Sequence, residues 1–406
     1  MEGTNMYCGR INRTGFIIFL IFVLPLLSFA DIRNYIVFIK PVFSEITKTH
    51  FNQLADYFDK HNRNELAHTY RNFIEHGHVS GFIVSDRSGE IFIITSSFLL
   101  TYAEQVEVMK YDGDSKSYHN CPILFIDETH NLAVLQFPGK EKDCADGLKI
   151  CTHLRIKTQA VWSAGFSGIT TAPIWKMTKG KLIDQYVRIQ QLIDPKASYI
   201  MIHTSMVDPG NSGGPLLIKD WSRLDYSVIG VNIWMPYNQC FLTIPAENIK
   251  TVLAKAKQAE NMKLDYKARK QSLEIVCNMF VAELTSGYPD ITKVGSYISY
   301  ELTSTTGFSD FNSILAVCEK YKAEKWMDYF LHYSPLKAMR SAVFMLIWHN
   351  IHTARKETEI IFKSIIYTHE KEFIEKDSIR TLFEINGREK EITWIFENGT
   401  WKIKKI

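Results

Sequence analysis

The chain has 406 residues, 46% hydrophobic and 22% charged, which is the composition of folded globular material and excludes a largely disordered protein. Lys and Arg number 47 against 44 Asp and Glu, and the net charge of +3 gives no electrostatic case for nucleic acid or an anionic membrane surface as partner. At about 100–200 residues per domain the length allows roughly two to three domains.

Residues 1–30 read as a secretory signal. Arg10 and Arg13 form a basic start, an apolar stretch runs from Gly15 to Leu27, and Ser28-Phe29-Ala30 places small residues where a signal peptidase cuts, so that Asp31 begins the mature chain. The apolar run is shorter than the ~20 residues a bilayer-spanning helix needs, so cleavage is expected and no membrane span after it. The expected location is therefore extracytoplasmic, periplasmic or secreted. Of seven cysteines, Cys8 leaves with the signal. Cys144 and Cys151 are spaced to close a short loop, with free thiols the alternative, and the pattern does not fix the pairing. No Cys-x-x-Cys or paired His spacing points to a metal, and no cofactor is expected.

Residues 31–75 form a lead-in. Tyr35 to Ile39 is strand-like, Ser44 is a helix cap, and Phe51, Leu54, Ala55 and Phe58 follow at helical spacing. Residues 76–255 alternate short strands with Gly-rich turns, as an all-β barrel or sandwich does: Gly81–Val84, Ile91–Thr95, Val106–Val108, Leu132–Leu135 and Val228–Ile233. Residues 256–406 change character. Lys255 to Lys270 reads as a charged linker helix and Leu273 to Leu284 as a second helix with an apolar face. Asn386-Gly387 and Asn398-Gly399 are type I′ hairpin dipeptides flanked by alternating residues such as Ile392, Trp394, Phe396 and Trp401. An α+β domain is the expected end of the chain. Its closing hairpin resembles the last hairpin of NTF2-like or cystatin-like folds.

The most informative string is Asp208-Pro209-Gly210-Asn211-Ser212-Gly213-Gly214-Pro215-Leu216. A serine between glycines sits on a tight turn, where the N–H groups of Gly210 and Ser212 point into one spot and form an oxyanion hole for acyl transfer. A strand with Gly230-Val231-Asn232 follows at the right distance.

These residues resemble the HtrA-type branch of the trypsin-like serine peptidases. His78-Val79-Ser80-Gly81-Phe82-Ile83-Val84 is similar to the family's opening strand, Val161–Gly168 with Gly180 to a middle segment, and Phe241-Leu242-Thr243-Ile244-Pro245 to its closing strand. The resemblance covers residues 76–255. It implies an all-β double β-barrel with the cleft between the barrels, Met206 and Asn232 as substrate-binding positions, and an oligomer as a common state of such proteins.

The triad of such enzymes needs a base beside the serine and a carboxylate that orients the base. In Thr95-Ser96-Ser97-Phe98-Leu99-Leu100 the base position falls on Phe98, and before Leu132-Ala133-Val134-Leu135 the orienter position falls on Asn131. Ser212 alone keeps the nucleophile's identity. A phenyl ring takes no proton, and losing the base in such a triad costs on the order of a million-fold in rate. His76, His78, His119, His130 and His203 are the candidate substitutes, and a surface or satisfied role is the ordinary one for each. The expectation is a pseudoprotease that binds peptides or proteins of the cell envelope by β-strand addition. An active endopeptidase with a non-standard base, and a C-terminal domain that carries the main binding function, are the alternatives.

Overall fold

A computed structural model describes residues 32–406 apart from 61, 87, 111–115, 119, 139–146, 153–156, 170–173, 188–198, 221–224, 238–239, 288, 290–293, 300, 304–334, 354–357 and 377. The signal segment, His119, Cys144 and Cys318 lie outside the described residues.

Strand β1 (Ile36–Phe43) leads into helices α1 (Glu45–Lys60) and α2 (Asn64–His76). Ser44 Oγ accepts the Thr47 N–H at 3.1 Å, which satisfies an amide left unbonded at a helix start. Phe51, Leu54, Ala55 and Phe58 are buried, as their spacing predicts, and meet Ala67, Tyr70 and Phe73 of α2 in one core. Strands β2 (Val79–Ser85), β3 (Ile91–Ser96), β4 (Ala103–Lys110), β5 (Lys116–Tyr118), β6 (Ile123–Asp127) and β7 (Leu132–Gln136) complete an antiparallel sheet in the order β5-β4-β1-β2-β3-β7-β6. The strand of the lead-in is thus a member of the sheet: Val37 pairs with Gly81 on one side and Lys110 on the other.

The second sheet has β8 (Lys149–Ile150), β9 (Ala160–Ser167), β10 (Ile174–Val187), β11 (Ile200–His203), β12 (Pro215–Asp220), β13 (Asp225–Tyr237) and β14 (Cys240–Pro245). The order β12-β9-β10-β11-β14-β13 closes on itself through β12–β13 pairing, and β8 adds a short parallel bridge to β13. The two units form the expected trypsin-like double-barrel architecture, one ring closed and the other a curled open sheet. Phe82, Phe92 and Leu132 of the first sheet and Leu217, Val228 and Val231 of the second share one buried cluster. The two sheets therefore share one continuous core.

Helix α3 (Ala246–Leu264) places Ile249, Val252, Ala256 and Ala259 in that same core. The expected charged linker helix, Lys255 to Lys270, is divided: Asp265 ends α3 and caps α4 (Tyr266–Thr285), its carboxylate accepting the Lys267 and Ala268 amides. The small residues on the inner face of α3 permit close packing, so the segment belongs to the barrel core rather than bridging through solvent.

Helix α5 (Pro335–His352), strand β15 (Ile360–Ile366), helix α6 (Glu370–Glu375) and strands β16 (Ser378–Ile385), β17 (Arg388–Glu397) and β18 (Thr400–Lys405) complete the C-terminal region, whose four strands pair antiparallel in sequence order. Asn386 and Gly387 have φ of 53° and 75°, Asn398 and Gly399 of 53° and 84°, the doubly left-handed turn the two dipeptides predict. Among the described residues, Cys240 and Cys277 are free thiols, and no helix is long and apolar enough to cross a membrane.

Candidate functional site

The loop from Asp208 to Gly214 is held from several sides. Within it, Asn211 N–H donates to Asp208 O at 3.0 Å and Gly214 N–H to Asn211 O at 3.0 Å. From β2, Ser80 N–H reaches Ser212 O at 2.8 Å and Ser80 Oγ donates to Gly210 O at 2.8 Å. The same hydroxyl accepts the Phe166 N–H at 2.8 Å, which ties the loop to both barrels. Gly210 and Gly213 have φ of 93° and 87°; a Cβ at the first would lie 2.4 Å from His78 Nε2, and at the second 2.2 Å from Ser80 O. Both backbone angle and space therefore require glycine. Among the described residues, the N–H groups of Gly210 and Ser212 have no acceptor within the chain.

Ser212 is 9% exposed, and its hydroxyl donates to Ser96 Oγ at 3.2 Å. A second hydroxyl is no base near neutral pH. Two residues on from Ser96, the Phe98 ring packs edge-on against Phe73 of α2 with centroids 5.8 Å apart, in the core beneath the first sheet. Asn131 adopts φ 53°, a conformation Asn tolerates better than most residues. Its carbonyl accepts the Ser97 N–H at 3.2 Å and its Oδ1 the Ser97 hydroxyl at 3.1 Å. Phe98 thus serves packing, and Asn131 fixes the strand end.

The described candidates His76, His78, His130 and His203 each meet groups other than Ser212. His130 Nδ1 lies 3.0 Å from Asp127 Oδ2, which Lys255 Nζ also reaches at 2.9 Å. Burial alone would raise the Asp127 pKa, but His130 and Lys255 outweigh it and hold the carboxyl far below the usual range. His78 is buried between two carbonyls, His76 O and Phe166 O, each 3.2 Å away, and lies against the Phe38 ring at 4.6 Å; burial lowers its pKa. His76 lies 3.5 Å from Glu75. His203 is fully buried, with Nε2 2.8 Å from Thr243 Oγ1, and burial pushes its pKa down to about 3.

Met206 is 44% exposed, and its carbonyl accepts the Thr178 hydroxyl at 2.8 Å. Lys176 Nζ lies 3.3 Å from its sulfur and 2.5 Å from Asp208 Oδ2, so the carboxylate beside the serine loop is neutralised locally. Asn232 does not line the surface. Its side chain is buried, donating from Nδ2 to Pro215 O at 2.9 Å and accepting the Thr243 hydroxyl at 2.8 Å. Its backbone pairs with the serine loop, accepting the Gly213 N–H and donating to Gly214 O, both at 2.8 Å. Asn232 therefore acts on a ligand only through the loop it holds. Sequence reasoning passed over Ser80, Ser96 and Thr243; a run of small hydroxyl residues at buried strand positions was the signal available for them.

Residues 79–231 match the trypsin-like peptidase domain family. This stretch is a trypsin-like peptidase domain, and the chain is a serine-protease homologue. Among solved structures it is similar to the Rv3671c protease in an inactive form, at 17% identity over 56% of this chain and 91% of that one, with a TM-score of 0.38. The active form of the same protease, from M. tuberculosis, is 16% identical over 58% of this chain and 85% of that one, with a TM-score of 0.40. Comparison with curated proteins gives no match.

Proposed function

We propose that this chain is a non-cleaving serine-protease homologue, a pseudoprotease that works outside the cytoplasm and holds extended polypeptides in the cleft beside Ser212. The observation that carries the reading is the partner of the Ser212 hydroxyl: Ser96 Oγ, where a peptidase needs an imidazole. His78, His130 and His203 do not offer a substitute, because each makes its contacts to other groups. What remains is oxyanion and binding catalysis alone, of order 10³ over water, which is negligible against the stability of a peptide bond. The serine loop, whose Gly210 and Ser212 N–H groups have no acceptor among the described residues, suits it to grip a backbone carbonyl, and the strands that flank it suit β-strand addition.

The test is activity-based labelling. The purified chain is exposed to a fluorophosphonate probe and, separately, to casein. Neither labelling nor cleavage is expected above the level of a Ser212→Ala variant. Labelling or casein cleavage that the alanine abolishes would overturn the proposal. In parallel, fluorescein-labelled peptides of random sequence are expected to bind without being shortened.

A further inference from the structure

Four charged side chains meet where the C-terminal region touches the first sheet. Arg340 on α5 and Lys402 on β18 have side chains only 1% and 3% exposed. Glu397, at the end of β17, lies 3.7 Å from each. The fourth member, Glu128, comes from the turn between β6 and β7; it is ion-paired with Arg340 and lies 3.2 Å from Lys402. Buried cations are stable only beside acids, and here two cations face two acids, one supplied by each side of the junction. Burial opposes the Arg340 charge, yet Glu128, Glu397 and the nearby Tyr102 outweigh it and raise its pKa.

Other contacts converge on the same turn. Ile126 N–H donates to Asn398 O at 3.2 Å, and Gly399 leaves no room for a Cβ, which would lie 2.4 Å from the Phe125 ring. On the next residue, Lys255 and His130 hold Asp127. Three residues past Glu128, Asn131 holds Ser97 through two hydrogen bonds, and Ser97 sits between Ser96, the partner of Ser212, and Phe98. Hydrogen bonds and short runs of backbone thus join the C-terminal sheet to the serine: the chain from Glu128 to Asn131, the Asn131–Ser97 bonds, and the Ser212–Ser96 bond one residue back.

We propose that Glu128 is a positioning residue through which the C-terminal region holds the 127–131 turn, and with it the strand end that lies beside Ser212. It rests on the reading of that cleft as the functional site, but its test needs no ligand. Native-state hydrogen exchange on the full chain is compared between the parent and Glu128→Gln. Exchange at the Ser97 and Thr101 amides, which bond to Asn131 O and Ser97 O, is expected to rise at least about tenfold, while the closed barrel and β15–β16 keep parental rates. Thr381→Val, which removes the 2.8 Å bond from Trp394 Nε1 within the C-terminal sheet, is expected to leave those two amides unchanged. Should Glu128→Gln fail to fold, the double variant Glu128→Gln/Lys402→Met leaves Arg340 balanced by Glu397 and is expected to accelerate the same amides. Equal acceleration across the whole chain, or acceleration confined to the C-terminal sheet, overturns the proposal. Failure of the peptides to bind would bear on the cleft's function alone.

Discussion

Acid should weaken this fold through His203 before it reaches the carboxylates. The imidazole is fully buried, and Thr243 Oγ1 gives its one proton to Asn232 Oδ1, so the 2.8 Å contact to His203 Nε2 requires an Nε2–H donor. That contact fixes Nε2–H as the tautomer of the neutral ring. Burial lowers its pKa from 6.5 to about 3. Between those values the unfolded chain binds a proton that the folded chain refuses, so stability is complete above 6.5 and falls as pH drops. One proton corresponds to about 1.4 kcal/mol per pH unit, and integration from pH 8 to 4.5 gives a loss of roughly 3 kcal/mol. His78, lowered by burial, adds to the loss with the same sign. The carboxyls of Asp86, Asp127 and Asp208 are held below 3.8 and act at lower pH. The assay is urea unfolding at pH 8, 6.5, 5.5 and 4.5, followed by tryptophan fluorescence, for the parent and His203→Gln. Glutamine retains an amide donor for Thr243 but does not titrate. The parent should lose about 3 kcal/mol more than the variant; equal losses would refute the assignment.

Two further outcomes follow from the same geometry. Thr243→Val leaves the His203 N–H and the Asn232 carbonyl buried without partners, at roughly 1–3 kcal/mol each, and a urea midpoint unchanged within about 0.5 kcal/mol would count against that relay. The double replacement Phe98→His/Asn131→Asp is expected to lower stability by roughly 1–3 kcal/mol without restoring casein cleavage, because it puts a polar ring into the Phe73 contact; hydrolysis rising about a thousand-fold above Ser212→Ala would show that the site needs only its two residues back.

The parts of this fold that the sequence makes legible are those set by local backbone chemistry. Gly210 and Gly213 announce a serine loop because only glycine fits their angles and neighbours. The two Asn-Gly pairs announce hairpins for the same reason, and Ser44 with its helical run announces α1. What stays hidden depends on partners distant in the chain. Nothing in Ile36–Phe43 says that it enters the sheet between β2 and β4, because strand pairing is non-local. The inward turn of Asn232 follows from Thr243 and Pro215, which meet it only once the barrel closes. Lys255–Lys270 reads as a solvent-facing helix because its charges outnumber its core residues, while the small Ala256 and Ala259 that face the core carry little signal. Arg340 and Lys402 look like surface cations until Glu128 arrives from 212 and 274 residues away.

Phe98 and Asn131 are best understood by what each of them holds. Phe98 joins the strand end to α2, so the helical lead-in packs directly against the segment that follows Ser96. Asn131 occupies a left-handed turn and locks Ser97 with both backbone and side chain, which leaves Ser96 to receive the Ser212 hydroxyl. Neither residue is idle. Phe98 is held by core packing and Asn131 by a doubly bonded turn, with the C-terminal region bearing on that turn from outside.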